Sequence, residues 1–264
     1  MEHLVSEIKK SKKYKGLSRD LIRKHVVKLK ERYPKANDKG LLKEIKGELH
    51  KLYGAFQTTK VSKREKAFEN LKEEYNLKSF NHILATNRSS KERLNAYPTL
   101  YGEIFAITGK PKIILDLGCG LNPASWPYMS LENVNYHAYE ISEEDVDFLN
   151  KFFDIIKEHG LSGKAKVLDA KDIGKLSGLP SSNVVFAFKL FDVLDENNHK
   201  ISEKIMKELR KKTNFIIVSF ATRTLSNKPM KHSKRGWFEM MCSRLKLEQK
   251  KIETDNEVFY VVKC

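Results

Sequence analysis

The sequence predicts an α/β protein in which a mostly parallel sheet follows a helical N-terminal region. From residue 112 onward, short apolar runs alternate with amphipathic segments, which is the pattern of a sheet covered by helices on both faces. Up to about residue 108, apolar residues instead recur at helical spacing. The chain has 264 residues, of which 40% are hydrophobic, and this is enough for one sizeable domain and a smaller one.

The N-terminal region is predicted to form a series of helices with basic outer faces. Ser18 is a suitable N-cap for the first, whose apolar residues follow at helical spacing until Tyr33 and Pro34 end it. Apolar residues within 41–52 form the inner face of another helix, and those within 68–75 form the next.

A connecting helix is predicted between this region and the sheet. Ser89 and Glu92 have the spacing of a capping box, and Pro98 is expected to bend or restart the helix that follows. We therefore divide the chain into a basic helical domain at 1–80, a connecting helix at 81–110 and a sheet domain at 111–264.

Five strands are predicted in the sheet domain before a closing pair. These strands are KIILDL at 112–117, VNYHAYE at 134–140, KAKVLD at 164–169, NVVFAF at 183–188 and NFIIVSF at 214–220. Helices are predicted at 143–159, near 198–212 and around 234–244. KLEQKKIE and EVFYVVK are expected to close the sheet as an antiparallel pair.

The chain is strongly basic, and the charge is concentrated near its N-terminus. The formal net charge is +16, and residues 1–80 hold 22 Lys or Arg against 11 Asp or Glu. A protein this basic usually has a polyanionic partner, most often a nucleic acid. A lysine-rich solvated surface is the alternative interpretation.

The remaining composition indicates a reduced cytoplasmic protein. Cys119, Cys242 and Cys264 are widely spaced and odd in number, so neither a disulfide framework nor a zinc site is predicted. No apolar run approaches the roughly 20 residues of a membrane helix, and the N-terminus lacks the apolar core of a signal peptide.

A glycine turn and two acids point to a nucleoside-containing ligand. Gly118 and Gly120 follow the first strand in ILDLGCGLNP, Glu140 ends the second strand and Asp169 ends the third. Ligands of doubly wound sheets bind beyond the carboxyl ends of the strands. An acid after the second strand there accepts hydrogen bonds from both ribose hydroxyls, and one after the third meets the adenine amino group.

The loop favours S-adenosylmethionine (SAM) over a dinucleotide. Positions 121–123 are Leu-Asn-Pro, so the third glycine of the dinucleotide fingerprint is missing, and the chain contains no Walker loop. A loop built around Asp116, Gly118 and Gly120 suits the zwitterionic amino-acid end of SAM, which has no pyrophosphate. A plain strand–turn motif is the alternative.

LDLGCGLNP together with YHAYE resembles the aminoglycoside-resistance 16S rRNA methyltransferases of the Arm/Rmt type. SSKERL, FAFKLFDVLD, VSFATRTLS, WFE and NEVFYVV are further matches. The resemblance covers motifs within 80–264, and residues 1–80 only in their helical and basic character. The chain departs from the family in having Glu140 where Asp is common, and in a shorter loop after TLS that lacks a Gly-Met pair.

The resemblance implies a Rossmann-like class I SAM-dependent methyltransferase sheet that acts on guanine N7 in the decoding site of the small ribosomal subunit. Guanine N7 has an in-plane lone pair, so we expect no general base. The chain contains no [ND]PP[YF] motif for amine methylation, and Cys119 lies in the cofactor loop. A methyltransferase for another RNA and a non-catalytic RNA-binding factor remain alternatives.

The same resemblance assigns candidate site residues. Arg93 is expected to reach the SAM carboxylate, the alternative being a helix-surface ion pair with Glu92 or a neighbour. Lys189 is expected to line the target-base pocket with Phe220 and Arg223, the alternative being a solvated lysine. The expected cofactor-binding residues are Arg93, Asp116, Gly118, Cys119, Gly120, Asn122, Glu140, Ile141, Asp169, Ala170, Lys189 and Leu190.

Two basic regions are expected to contact rRNA. The N-terminal helices would dock the small subunit. They are expected to lie outside the sheet that holds the cofactor, so removal of residues 1–80 should abolish methylation of 30S subunits while SAM binding survives. The loop after the fifth strand would grip phosphates beside the target base, or is simply solvated. Its expected RNA-binding residues are Arg223, Lys228, Lys231, Lys234 and Arg235. We expect a monomer that uses neither a metal nor a membrane.

Overall fold

The computed structural model describes residues 1–56, 61–195, 198–224, 228–230 and 235–264. The N-terminal helices are α1 (Glu2–Lys9), α2 (Arg19–Arg32) and α3 (Asp38–Leu49), and a π-helical turn (His50–Gly54) follows them. As predicted, the Ser18 hydroxyl caps α2 by accepting from the Leu21 N–H at 3.2 Å, and the helix ends just before Tyr33. These helices share a small core that runs from Leu4 to Tyr53.

The next helices pack on the sheet instead of on that small core. They are α4 (Val61–Glu73), α5 (Leu77–Leu84), α6 (Arg88–Arg93) and α7 (Tyr97–Thr108). Phe68, Leu71 and Phe80 share a core with sheet residues. The predicted capping box is wrong, because Asn87 caps α6 by accepting from the Ser90 N–H at 3.3 Å. Pro98 lies in the first turn of α7 and so restarts the helix, as predicted.

A seven-stranded sheet in the order β3-β2-β1-β4-β5-β7-β6 forms the centre of the molecule. β1 to β5 are parallel, and β7 pairs antiparallel with both β5 and β6. The strands are β1 (Ile113–Leu117), β2 (Val134–Glu140), β3 (Leu161–Val167), β4 (Ser182–Phe188), β5 (Thr213–Ala221), β6 (Glu248–Glu253) and β7 (Glu257–Lys263). This arrangement confirms the predicted fold class.

Helices cover both faces of the sheet. α8 (Glu143–Ile156) packs on the same face as α4, α5 and α7. The opposite face is covered by α9 (Ile173–Ser177), α10 (Leu190–Leu194), α11 (Lys200–Leu209) and α12 (Gly236–Arg244). Strand order reverses at β1, which pairs with β2 on one side and with β4 on the other. Such a switch point leaves a crevice at the carboxyl ends of the strands.

Strand boundaries match the sequence prediction to within two residues except at β3. β2 begins and ends as predicted, whereas β3 starts at Leu161 and ends at Val167 instead of running over 164–169. β3 pairs only with β2 and is largely exposed, so its apolar signal is weak. Among the described residues, no helix combines the length and the apolar character needed to cross a membrane.

Candidate active site

A cleft lies at the carboxyl ends of the central strands. Its floor is the turn after β1, and Glu140 at the end of β2 and Lys189 after β4 lie on its walls. The cleft therefore occupies the crevice that the strand order creates.

The glycine turn adopts a backbone that favours glycine. Gly118 has φ +61° and Gly120 has φ +51°, both in the left-handed region that side chains disfavour. A Cβ atom on Gly118 would lie 2.7 Å from Leu190 Cδ1, and Leu190 itself lines the cleft. The Cys119 N–H donates to the Tyr139 carbonyl at 3.1 Å and ties the turn to β2. The turn is thus a cradle that a side chain would disturb.

Replacing Gly118 tests this cradle. Gly118→Ala is expected to lower the free energy of unfolding by about 1–2 kcal/mol because of the left-handed backbone. It is also expected to weaken binding of S-adenosylhomocysteine (SAH), because Leu190 must move. Gly102→Ala is the matched control: Gly102 lies inside α7 with open space around it, so the helix should gain slightly in stability. Denaturant unfolding and calorimetry that give the same result for both variants would contradict the prediction.

Glu140 presents a fixed carboxylate beside the glycine turn. Its Oε2 accepts from the Gly120 N–H at 2.9 Å, and its Oε1 accepts from the Ile141 N–H at 2.7 Å. A carboxylate has about four lone-pair sites, so acceptor capacity remains for two hydroxyl groups. Burial, together with the nearby charge of Asp145, raises the pKa of Glu140 to about 7. These properties fit a residue that would hold the ribose of SAM.

Asp116 lies beneath the cleft and does not line it. Its Oδ2 accepts from the Tyr136 hydroxyl at 2.6 Å and from Asn122 Nδ2 at 2.9 Å. Asn122, which does line the cleft, in turn accepts from Tyr97 and Tyr101 at 3.1 Å each. Burial raises the pKa of Asp116 to about 6. Asp116 therefore supports the turn through Asn122, which differs from the direct contact that the sequence predicted.

Asp169 is also absent from the cleft lining, although Ala170 beside it belongs to the lining. One Asp169 oxygen accepts from the Lys171 N–H at 3.0 Å, and the other lies 3.7 Å from Lys24 Nζ on α2. The carboxylate is thus engaged by its own turn and by the N-terminal region. The expected contact between Asp169 and adenine does not follow from this arrangement.

Arg93 and Lys189 both line the cleft and are both buried. Arg93 binds Glu257 through Nη2 and Nε, at 2.9 and 3.1 Å. Lys189 Nζ lies 2.8 Å from a Glu92 oxygen and 3.5 Å from Glu257. Two alternative interpretations are therefore wrong: Arg93 does not form a surface ion pair with Glu92 or a neighbour, and Lys189 is not solvated. Sequence reasoning missed Glu257, although an acid that begins an otherwise apolar strand is an unusual signal.

Phe220 does not belong to the cleft. Side chains alternate along a strand, and because Ser219 faces Lys189 and Glu257, Phe220 points to the opposite face of β5. There it is fully buried among aromatic rings that include Phe238. The prediction that Phe220 lines the target-base pocket is therefore wrong, because the residue lies on the other face of the strand.

The loop after β5 is described only in part. Arg223 does not line the cleft, and its Nε donates to the Asp255 carbonyl at 3.2 Å. Arg235 is buried, binds Asp192 at 3.2 Å and lies over the Phe220 ring, so this side chain is a core residue and not a phosphate contact. Lys228 is exposed. Lys231 and Lys234 lie outside the described residues.

The N-terminal region forms one wall of the cleft. Leu52, Tyr53 and Phe56 line it. The Ser142 hydroxyl donates to the Tyr53 hydroxyl at 3.1 Å, and the Arg88 N–H donates to the Phe56 carbonyl at 2.9 Å. The expectation that SAM binding survives removal of the N-terminal helices does not follow from this arrangement.

Cys119, in the glycine turn, has a buried thiol. Burial holds the pKa of the Cys119 thiol well above its ordinary value, so this side chain is not a ready nucleophile. Within the described residues, no group of three or more His, Cys, Asp or Glu side chains has the arrangement of a metal site.

Comparisons with known proteins agree with this geometry. The 16S rRNA (guanine(1405)-N(7))-methyltransferase of Proteus mirabilis is 28% identical, over 99% of this chain and 96% of that protein. The 16S rRNA methylase RmtB superposes with a TM-score of 0.76 at 23% identity, covering 99% of this chain and 97% of that one. RmtF, solved in complex with S-adenosyl-L-homocysteine, gives a TM-score of 0.78 at 19% identity with the same coverage. A family described as ribosomal RNA methyltransferase (FmrO) matches residues 10–261. The chain belongs to this ribosomal RNA methyltransferase family, as its resemblance to the Arm/Rmt enzymes predicted.

Proposed function

We propose that this protein methylates N7 of a guanine in 16S rRNA of the small ribosomal subunit, with SAM as the methyl donor. The observation that carries the proposal is the cleft at the switch point of the sheet, where a glycine turn meets the Glu140 carboxylate. The relatives named above supply the substrate class, and the printed name of the Proteus mirabilis enzyme specifies guanine 1405. Methylation at the equivalent guanine would give the protein a role in aminoglycoside resistance.

The chain's own residues would bind the cofactor and exclude water. SAM supplies an electrophilic methyl group on a sulfonium. Glu140 would hold the ribose, and the Gly118–Gly120 turn would allow close approach of the backbone. Arg93 would face the cofactor carboxylate, and a charged hydrogen bond suits that contact. Guanine N7 already carries a lone pair, so the main contribution of the protein is alignment.

We further propose that residues 1–56 act as the docking domain, because their core is distinct from the core of the sheet. The sequence favours a boundary at residue 80, but Phe68, Leu71 and Phe80 pack with sheet residues. Residues 61–108 would then connect the docking domain to the catalytic sheet. We propose that the protein acts as a monomer in the cytoplasm.

Incubation with labelled SAM tests the proposed substrate. Label is expected in purified 30S subunits and not in 50S subunits or tRNA. Transfer to tRNA alone would instead support a methyltransferase for another RNA. Absence of both transfer and SAH binding by calorimetry would support a non-catalytic RNA-binding factor.

Charge reversal on α3 tests the docking role. Lys39, Lys43 and Lys46 are exposed and follow one helix face. Their replacement by Glu is expected to abolish methylation of 30S subunits and to flatten the salt dependence of subunit binding, because each phosphate contact adds to that slope. SAH binding should stay at the wild-type level.

The matched control replaces three lysines by Glu at the amino ends of the parallel strands, away from the cleft. Lys110 and Lys112 precede β1 and Lys211 precedes β5, so all three lie near the amino ends of parallel strands. Their replacement by Glu should leave methylation within about twofold of wild type, since lost surface charges away from an interface act only weakly. Equal losses in both triple variants would contradict a specific docking face.

A further inference from the structure

Glu257 connects the two cationic side chains of the cleft. One carboxylate receives Nη2 and Nε of Arg93 and lies 3.5 Å from Lys189 Nζ. The Ser219 hydroxyl donates to the same carboxylate. Arg93 comes from α6 and Lys189 from the turn after β4, so elements far apart in sequence converge on a single acid. Glu257 itself does not line the cleft.

The backbone holds Glu257 rigidly. The residue begins β7 and pairs with Ala221 of β5, and its carbonyl accepts from the Thr254 N–H at 2.9 Å. Its side chain is fully buried, so no water competes for the carboxylate. Side chains fixed by a sheet hold their partners in position better than side chains on loops do.

The negative charge of Glu257 and the positive charges of Arg93 and Lys189 stabilise one another. Burial opposes ionisation of Glu257, but the charges of Arg93 and Lys189 outweigh it and lower the pKa of Glu257 below its ordinary value. Glu92 adds a second carboxylate at Lys189. Removal of Glu257 would leave two buried cations without the one carboxylate that both of them contact.

We propose that Glu257 is a positioning residue for methyl transfer, whose carboxylate holds Arg93 toward the cofactor and Lys189 toward the target base. This inference rests on the proposed function. A purely structural ion pair would need only one cation, whereas Glu257 contacts the two cations that line the cleft. Glu257 does not touch the cleft, so its effect on catalysis passes through these partners.

A double-mutant cycle with Arg93 tests the first half of the proposal. Calorimetry would give the Kd of SAH for wild type, Glu257→Gln, Arg93→Gln and the double variant. Each single variant is expected to bind SAH roughly tenfold more weakly, which corresponds to the loss of one charged hydrogen bond. The double variant should bind no more weakly than Arg93→Gln, because Glu257 acts through Arg93.

Turnover with 30S subunits at saturating SAM tests the second half. Glu257→Gln should lower kcat by roughly tenfold, because Lys189 loses one of its two acids. The variant Lys189→Gln/Glu257→Gln should be no slower than Lys189→Gln alone. Glu203→Gln is the matched control. Glu203 lies on α11, forms ion pairs with Lys207 of the same helix and with Arg244 of α12, and its replacement should leave Kd and kcat unchanged.

Folding is checked separately. Glu257→Gln is expected to lower the Tm by roughly 10 °C, since one partner of a buried pair is lost, and the double variant with Arg93→Gln should recover much of this loss. If Glu257→Gln does not fold, Glu257→Asp keeps the charge but has a shorter reach, and it should still raise the SAH Kd or lower kcat.

The outcomes separate this proposal from the proposed function. Wild-type protein that binds SAH, with Glu257 variants that match it in Kd and kcat, would overturn only the positioning role. Additive effects of Glu257→Gln and Arg93→Gln on log Kd would overturn it as well. Wild-type protein that fails to bind SAH would instead contradict the proposed function.

Discussion

A chain that begins at residue 61 is expected to lose SAH binding as well as methylation of 30S subunits. Leu52, Tyr53 and Phe56 form one wall of the cleft, so their removal opens the cofactor site to solvent. Loss of three apolar contacts, each about 1.5–3 kcal/mol when fully buried, would weaken binding by at least tenfold. Calorimetry with SAH measures this directly, and circular dichroism checks that the sheet domain still folds.

The α3 charge-reversal variant is the control for this deletion. It changes only exposed lysines, so it should lose methylation and keep SAH binding. Tyr53→Ala offers a smaller change in the same wall and should weaken SAH binding without removing the docking surface. A truncated chain that binds SAH like the full-length protein would show that the wall does not contribute to the site.

Glu140→Ala is expected to reduce SAH affinity by roughly tenfold or more, since a hydrogen bond to a charged group contributes about 1.5–3 kcal/mol. It also leaves the N–H groups of Gly120 and Ile141 without their acceptor. Glu203→Gln and Glu203→Ala on α11 are the controls and should bind SAH normally. Unchanged affinity in Glu140→Ala would contradict the assignment of the ribose site.

The pH dependence of SAH binding provides a second test of Glu140. Its pKa in the folded protein is about 7, above the ordinary value of 4.5, so its ionised form is reached only as the pH rises through 7. Ribose hydroxyls donate to the ionised carboxylate, so affinity should increase over this range and then level off. In the ligand-free protein, the stability of the fold should show the opposite pH dependence. Glu140 contributes stability that is fully present below about pH 4.5, and this contribution is lost as the pH rises through 7. Glu140→Gln should remove both trends at this residue.

The features that the sequence predicted correctly depend on short local motifs and on strand order. The glycine turn and Glu140 lie at the ends of adjacent strands that are strongly apolar, so their meeting follows from strand order alone. The predicted boundaries of β2 and β7 match the observed ones. Apolar residues alternate with polar ones along most of β2, and β7 contains a continuous apolar run. Ser18 and Pro98 act in their own turns, and such local effects need no tertiary contact.

The parts that were missed depend on contacts distant in sequence. Arg93 and Glu257 are 164 positions apart, and no local pattern links them. The sequence does not indicate which face of β5 Phe220 occupies, because β5 is buried on both sides and so lacks apolar–polar alternation. The cleft wall at Leu52 and Tyr53 arises from how the N-terminal region docks on the sheet, while its composition indicates only a basic helical segment.

Mapping the methylated atom tests the proposed chemistry most directly. N7-methylguanosine is cationic and makes RNA cleavable by borohydride and aniline. After incubation of 30S subunits with the enzyme and SAM, we expect one new cleavage site in 16S rRNA, at a guanine of the decoding region. Mass spectrometry should place the methyl group on the base. Methylation of an exocyclic amine or of a ribose, with no new cleavage site, would contradict a guanine-N7 methyltransferase.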